Sequence, residues 1–185
     1  MFSGKSEELI RRLRRSVIAR QRVQVFKPLL DDRFATHEVV SRDERRLKAL
    51  AVATSAELLG SVEIGVQVVG IDEIQFFDAG IVDVCMQLAD AGIRVIAAGL
   101  DQDYMRRPFG PMPALLAVAE EVSKMHAICV RCRGAAHYSQ RVSGGNTQVE
   151  VGDSSYEARC RPCFEAYKAS QEEEAAVQLT IPQPV

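Results

Sequence analysis

Two short apolar runs on either side of one helical segment constrain the fold of this chain more than any other feature. Residues 66–71 read VQVVGI and stop abruptly at Asp72-Glu73, and residues 94–98 form a second run. Between them, the pattern of residues 79–91 predicts a helix. Largely apolar strands are typical of a sheet that is covered on both faces, and strand–helix alternation implies parallel strands with helical crossovers. The sequence therefore predicts an α/β fold.

The remaining elements follow from the same periodicities. Apolar residues between Ser6 and about Gln21 recur on one helical face, while arginines fill much of the rest and predict a solvated face or a subunit contact. Further predicted elements are a strand at 23–26, a helix around 55–59 and a helix at 111–124.

Length and charge limit the class of protein. The 185 residues suit one α/β domain with a small appendage, and a net charge of -2 argues against a protein that coats nucleic acid. The chain has no apolar run of about 18 residues, and its start lacks the order of charges and apolar residues found in a secretory signal. We therefore expect a cytoplasmic protein without a membrane or nucleic-acid partner.

Residues 2–6, FSGKS, lead directly into the first predicted helix and match the second half of the phosphate-loop pattern G-x-x-x-x-G-K-[ST]. Backbone N–H groups around Gly4 can surround phosphate oxygens, Lys5 can reach the β- and γ-phosphates, and the Ser6 hydroxyl can bind Mg²⁺. A plain capped helix could also begin with these residues, so the half-motif alone leaves both interpretations open.

The first glycine of that pattern would lie two positions before Met1, and the strand that delivers such a loop would lie before it. We therefore expect Met1 to be an internal methionine read as a start, or the chain to be a fragment. A sheet without that strand would have unpaired backbone groups, which predicts weak stability and poor phosphate binding.

Asp72 and Glu73 follow the first apolar run directly. A carboxylate at the tip of a buried strand can hold Mg²⁺ opposite a phosphate loop, which is the role predicted for Asp72. Glu73 could take the proton from a hydroxyl nucleophile. The alternative is that the strand ends in acidic residues because the chain reaches solvent there.

Four cysteines form two CxxC pairs, Cys129 with Cys132 and Cys160 with Cys163. Two matched pairs on either side of a predicted hairpin favour a tetrahedral Zn²⁺ site with four thiolates over a redox motif. Such a closed site has no open coordination position, so its predicted role is structural. The fifth cysteine, Cys85, lies in an apolar stretch and is predicted to be an inert core residue.

The change of pattern after His126 predicts three regions. Residues 1–126 form a nucleotide-binding domain, residues 127–169 form a zinc-binding module with a hairpin turn at 143–146, and residues 170–185 form a disordered tail.

Together these motifs resemble the zinc-containing (type II) thymidine kinases over about residues 1–165. The strings that match, in order, are MFSGKSEEL, FKPLLDDRF, IDEIQFF, GLDQDYMRRPFGPM and YEARCRPC. The resemblance implies a P-loop NTPase-type parallel sheet flanked by helices, with a small zinc-binding hairpin (lasso) domain. It also implies transfer of the γ-phosphoryl group of ATP to the 5′-hydroxyl of thymidine, and of deoxyuridine, in nucleotide salvage.

The resemblance also implies the site residues, with Glu73 as the general base and with Ser6 and Asp72 at Mg²⁺. Contacts with ATP and its phosphates are implied for Met1, Phe2, Ser3, Gly4, Lys5, Ser6, Asp31, Arg33, Asp72 and Gln75. Contacts with thymidine are implied for Met1, Phe76, Leu100, Tyr104, Phe109, Val149, Val151, Gly152 and Tyr156. The aromatic residues among them would also fit a plain core. Members of this family are commonly tetramers, and dTTP can occupy the same site as a feedback inhibitor.

Besides the missing first strand and first glycine, the chain departs from the family pattern in two places. Arg42 stands where the family usually has a histidine, and residues 152–156 are about one residue shorter than in many relatives. Three other interpretations remain. They are a motor-type ATPase acting on nucleic acid, a non-catalytic zinc-binding module with a defective phosphate loop, and a kinase for another deoxynucleoside.

Overall fold

The computed structural model of the chain describes residues 1–29, 38–40, 46–143, 155–165 and 167. Several predictions concern positions outside the described residues: Asp31, Arg33, Arg42, residues 144–146 of the predicted turn, Val149, Val151, Gly152 and the tail at 170–185.

Short helices alternate with short strands in the first two thirds of the chain. The helices are α1 (Lys5–Ile18), α2 (Ser55–Gly60), α3 (Ile81–Asp90) and α4 (Met112–Val118). The strands of this part are β1 (Val23–Pro28), β2 (Glu38–Val40), β3 (Arg46–Lys48), β4 (Leu50–Val52), β5 (Val68–Ile71) and β6 (Arg94–Ala97). A single 3₁₀ turn, Ile74–Phe76, follows β5.

Four of these strands form one sheet in the order β4-β1-β5-β6, and every neighbouring pair is parallel. In register, Gly70 of β5 lies between Val25 of β1 and Ile96 of β6. The predicted α/β class with a parallel sheet and helical crossovers is therefore confirmed.

Helices cover both faces of this sheet. Successive side chains of β5 point to opposite faces, and both sets are apolar and pack against helices. Val68 packs in a core cluster with Leu9 and Leu13 of α1. Val69 and Ile71 belong to a different cluster, which is shared with residues of α2, α3 and α4. The continuous apolar run thus has a physical cause, since neither face of β5 meets solvent.

Cys85 lies in the second of these clusters, as predicted. Burial raises the pKa of its thiol to about 11, so the side chain stays protonated and unreactive.

One expectation about local structure was wrong, and one region contains strands that were not predicted. The helix predicted at 111–124 ends at Val118, because residues 119–124 are all exposed and offer no apolar face to pack. The polar region between β1 and α2 contains three short strands that the sequence pattern did not predict. One of them, β4, pairs with β1 at the edge of the sheet through Leu50, Ala51 and Val52.

The described strands after Met125 form small antiparallel pairs. Strands β7 (Ala127–Ile128) and β8 (Ala135–Ala136) pair with each other, as do β9 (Tyr138–Arg141) and β10 (Tyr156–Arg159).

Contacts divide the chain into two compact units. The sheet unit comprises Gly4–Asp103 and Arg107–Met125, and the cysteine unit comprises Met1–Ser3, Tyr104–Arg106 and His126–Val185. The predicted domain ranges 1–126, 127–169 and 170–185 stay predictions. Among the described residues, none of the helices is long and apolar enough to span a membrane.

Candidate functional site

The end of β5 in the sheet unit brings a serine and a carboxylate together. The Asp72 N–H donates to the Phe26 carbonyl and so continues the ladder with β1 by one residue. The Ser6 hydroxyl, in the first turn of α1, donates to Asp72 Oδ2 at 3.0 Å and lies 3.3 Å from Oδ1. The two residues predicted to hold Mg²⁺, 66 positions apart in sequence, are therefore in direct contact.

Asp72 is only 7% exposed, and the pKa of its carboxyl is raised to about 6, chiefly by this burial. The negative charge of Glu73 contributes to this raised pKa, while the Ser6 hydrogen bond and the positive charge of Lys5 oppose it. A divalent cation would stabilise the ionised carboxylate. A carboxylate and a hydroxyl are also the hard oxygen ligands that Mg²⁺ prefers, so the residues present fit this ion.

Glu73 has a left-handed backbone, with φ 50° and ψ 38°. A residue with a Cβ adopts this conformation at a cost of about 1–2 kcal/mol, so the surrounding structure must hold it. Its N–H donates to Asp72 Oδ1 at 3.0 Å, and the next residue, Ile74, donates its N–H to the Ala98 carbonyl. A left-handed turn therefore follows β5 at Glu73, whose side chain is half-buried.

The Glu73 carboxylate is held in place by its neighbour Gln75. The Gln75 Nε2 donates to Glu73 Oε2 at 2.6 Å, and Gln75 Oε1 accepts from the Leu100 N–H at 3.0 Å. Gln75 is 2% exposed. Its backbone carbonyl faces Gly110, where a Cβ would come within 2.4 Å of that oxygen and where φ is +48°. Only glycine fits at position 110.

Two of the aromatic residues predicted to line the thymidine pocket are in contact. The rings of Phe76 and Phe109 pack edge to face with centroids 5.3 Å apart. Phe109 is buried and Phe76 is half-buried. The structure thus joins Phe76 to Phe109, and links Leu100 to Glu73 through Gln75.

The phosphate-loop residues fall into both units. In the sheet unit, Gly4 precedes α1 with a left-handed φ of 76°, and α1 continues from Lys5. The first N–H groups of a helix have no partner within the helix and are suited to bind an anion. In the cysteine unit, the Met1 amine donates to the Ser139 hydroxyl at 2.7 Å, and Phe2 packs beside the cysteines.

The four predicted zinc ligands lie together in the cysteine unit. The Sγ atoms of Cys129, Cys132, Cys160 and Cys163 all lie within 4.8 Å of one another, with 3.5 Å between those of Cys132 and Cys160. Tetrahedral zinc with bonds of about 2.3 Å needs sulfurs about 3.8 Å apart, so the cluster fits the ion.

Cys129 is fully buried, and its backbone surroundings favour the thiolate. Burial opposes ionisation of this thiol, but backbone N–H groups of Cys132, Cys160 and Arg131 point at the sulfur and lower its pKa to about 6. A preformed cage of N–H donors is what a metal-bound thiolate requires.

An arginine that the sequence did not single out connects two predicted thymidine contacts. Arg141 is buried, its Cζ lies 3.7 Å from the centroid of the Tyr104 ring, and it donates to the Tyr156 hydroxyl at 2.6 Å. A guanidinium stacked on tyrosine is a cation–π contact that holds both rings in place. The sequence carried no signal for this, because a polar run in a short strand reads as exposed.

Comparisons with known proteins identify the relatives of the chain. A family model described as thymidine kinase matches residues 1–164. The thymidine kinase of Bacteroides fragilis is 53% identical over 175 residues, which cover 94% of this chain and 86% of that protein. Those of Bacteroides thetaiotaomicron and a Rhodothermus species are 54% and 55% identical over 166 residues, covering 89% of this chain and 82% and 78% of theirs.

The parallel sheet and these comparisons place the chain among the α/β nucleoside kinases, which are ATP-dependent transferases. Within that class, the chain belongs to the thymidine kinase family.

The raised pKa of Asp72 predicts that Asp72→Asn stabilises the protein in the absence of nucleotide and metal. Above pH 6 the buried Asp72 is charged and unfavourable, whereas below its unfolded pKa it is neutral in both states. We expect a gain of about 1–3 kcal/mol in the free energy of unfolding at pH 8, shrinking towards pH 5. Urea unfolding at both pH values measures it, and the exposed Asp83→Asn is the control. A variant less stable than the wild type at pH 8 would contradict this account.

The cysteine cluster predicts that Cys163→Ser loses bound zinc and the structure of the cysteine unit. The small core there is formed mainly by Cys129 and the alanines of the strands, so too little apolar surface is buried to hold the unit without metal. Zinc content and far-ultraviolet circular dichroism measure both effects. Cys85→Ala should keep zinc at the wild-type level, and full zinc retention by Cys163→Ser would refute the assignment.

Proposed function

We propose that this protein transfers the γ-phosphoryl group of ATP to the 5′-hydroxyl of thymidine, and of deoxyuridine, in nucleotide salvage. The observation that carries this proposal is the contact between Ser6 and the buried Asp72, with the half-buried carboxylate of Glu73 fixed beside it. A pair of oxygen ligands next to a base is the arrangement that phosphoryl transfer to a hydroxyl needs.

In the proposed reaction, Glu73 takes the proton of the 5′-hydroxyl as its oxygen bonds to the γ-phosphorus. The bond from that phosphorus to the β,γ-bridging oxygen breaks, and ADP leaves with the electron pair. Lys5 and the N–H groups at the start of α1 are proposed to hold the phosphates. Mg²⁺ bound by Ser6 and Asp72 would neutralise phosphate charge.

The nucleoside is proposed to contact Phe76, Leu100 and Phe109 of the sheet unit. The edge-to-face pair Phe76–Phe109 offers an apolar surface suited to a flat pyrimidine. Nucleoside contacts of Met1, Tyr104 and Tyr156 are proposed from the family resemblance. Within the cysteine unit, Arg141 contacts both tyrosines. The roles of the phosphate-loop residues and of Asp31, Arg33, Val149, Val151 and Gly152 rest on the family resemblance.

One methyl group distinguishes thymidine from deoxyuridine. A missing methyl in an apolar pocket lowers binding by only about 1–3 kcal/mol, so both nucleosides are proposed substrates. Zinc held by the four cysteines is proposed to be structural, because four thiolates fill its coordination sphere.

We further propose that the protein is a cytoplasmic homotetramer inhibited by dTTP, as the family resemblance implies. Light scattering should give four times the chain mass of 20.4 kDa. Thymidine added in excess should relieve inhibition by dTTP if the two compete for one site. A monomer, or inhibition that thymidine does not relieve, would refute the respective proposal.

The first experiment measures ADP release from Mg-ATP with each nucleoside in turn, for the wild type and for Glu73→Gln. We expect turnover that depends on thymidine or deoxyuridine, and a loss of at least about 100-fold in kcat for Glu73→Gln, because the amide cannot accept the proton. Glu63→Gln makes the same chemical change at an exposed side chain and should leave kcat unchanged.

Other outcomes would point to the other interpretations. Turnover stimulated by DNA without any nucleoside would favour a motor-type ATPase, and preference for another deoxynucleoside would change the substrate. If no nucleoside supports ADP release, the proposed activity of this chain is refuted.

A further inference from the structure

The side chain of Gln75 is the most completely enclosed polar group near the proposed base. It is 2% exposed and forms one hydrogen bond at each end of its amide, to Glu73 and to the Leu100 backbone. We propose that Gln75 is a positioning residue that orients the Glu73 carboxylate for proton transfer and acts through Glu73 instead of touching ATP. This inference rests on the proposed role of Glu73 as the base.

The hydrogen-bond partners fix which way round the amide lies. A backbone N–H can only donate, so the atom of Gln75 that faces the Leu100 N–H at 3.0 Å must be the oxygen Oε1. The nitrogen Nε2 therefore faces Glu73, and its N–H donates to Oε2. A buried amide that flipped would place two donors against each other at Leu100.

The hydrogen bond from Gln75 gives the two carboxylate oxygens of Glu73 different roles. Oε2 accepts from Gln75 at 2.6 Å, a short bond of the kind that a charged acceptor makes. Oε1 accepts no hydrogen bond from the part of the chain that the structure describes. With Oε2 anchored, Oε1 is the oxygen left to accept the proton of the nucleoside hydroxyl.

Gln75 can act as an anchor because it has no room to move. It is the middle residue of the Ile74–Phe76 turn. A Cβ at Gly99 would come within 2.7 Å of its Oε1, and a Cβ at Gly110 within 2.4 Å of its backbone oxygen. Both glycines therefore allow the neighbouring backbone to pack closely around Gln75. Because Gln75 cannot move, its hydrogen bond restricts the rotamers of Glu73.

The same enclosure argues against a direct contact with ATP, which the family resemblance implied for Gln75. A side chain that is 2% exposed has almost no surface left for a nucleotide. Its oxygen already accepts the hydrogen bond of the Leu100 N–H, and a contact with ATP would have to replace that bond at a half-buried residue.

Two substitutions remove the donor in different ways. Gln75→Glu keeps an oxygen for the Leu100 N–H and replaces the donor with a second carboxyl group, so the fold should be retained. Gln75→Met keeps the length but removes both bonds. We expect each to lower kcat roughly 10- to 100-fold while KM for ATP changes less than about 3-fold, because a misplaced base slows the chemical step without weakening nucleotide binding.

Gln75→Glu also has a pH signature that a general loss of structure would not produce. When the introduced carboxyl is protonated it can donate an O–H to Glu73 and restore the anchor, and when it is ionised the two carboxylates repel each other. The ratio of variant to wild-type kcat should therefore rise as the pH falls from about 9 to about 6.

A matched control is available in Gln24, whose amide likewise forms a hydrogen bond at each end, donating to the Ser61 carbonyl and accepting from the Glu63 N–H. It lies near the amino end of β1, whereas Glu73 follows the carboxyl end of the neighbouring parallel strand β5. Gln24→Met should lower the melting temperature without changing kcat. Zinc content and circular dichroism confirm that each variant is folded.

The double variant Glu73→Gln/Gln75→Met separates failure of this inference from failure of the proposed base. If Gln75 acts through Glu73, adding Gln75→Met to Glu73→Gln lowers single-turnover rates less than about 2-fold further. Wild-type kcat in folded Gln75 variants, a raised KM for ATP at unchanged kcat, or additive losses would overturn the positioning role alone. Full activity of Glu73→Gln would overturn both.

Discussion

The hydrogen bond from the Ser6 hydroxyl to the Asp72 carboxylate depends on nearly everything else in the sheet unit. It requires α1 to pack on one face of the sheet, which Leu9 and Leu13 achieve against Val68. It also requires β5 to run between two parallel neighbours, so that the first polar side chain appears where the ladder ends. Because Asp72 remains buried there, its charge lacks the solvation of an exposed carboxylate, and a cation would compensate for this.

The parts of this arrangement that periodicity determines could be predicted from the sequence. The apolar runs at 66–71 and 94–98 became β5 and β6, and the paired cysteines meet as their spacing indicated. The sequence did not predict where a helix ends or which distant residues pack together. The residues after Val118 favour a helix by type, but they are exposed with no apolar face to pack, and the helix ends there. The Gln75–Leu100 hydrogen bond joins two positions that come close only once the sheet has formed. Buried Arg141 is a similar case, because its environment is made by two tyrosines distant in sequence.

The cysteine unit has a much smaller apolar core than the sheet unit. Apolar side chains cover the sheet on both faces, whereas the small core of the cysteine unit consists of Cys129 and three alanines, with Phe2, Cys160 and Cys163 packed against them. Coordination bonds to a metal can replace the apolar area that so few residues cannot supply. Apolar packing thus stabilises the sheet unit, whereas zinc bound by the four cysteines would stabilise the cysteine unit.

The absence of side chains at Gly99 and Gly110 affects how changes near the carboxylates should be interpreted. Both positions face Gln75, through its Oε1 and its backbone oxygen respectively, with no space for even one extra carbon atom. A substitution there would push on the amide that holds Glu73, although neither glycine bears a functional group. In a mutational scan, substitutions at these two sites would lower activity as substitutions of direct nucleoside contacts do. A pocket mapped from activity alone would therefore include residues that the nucleoside does not touch.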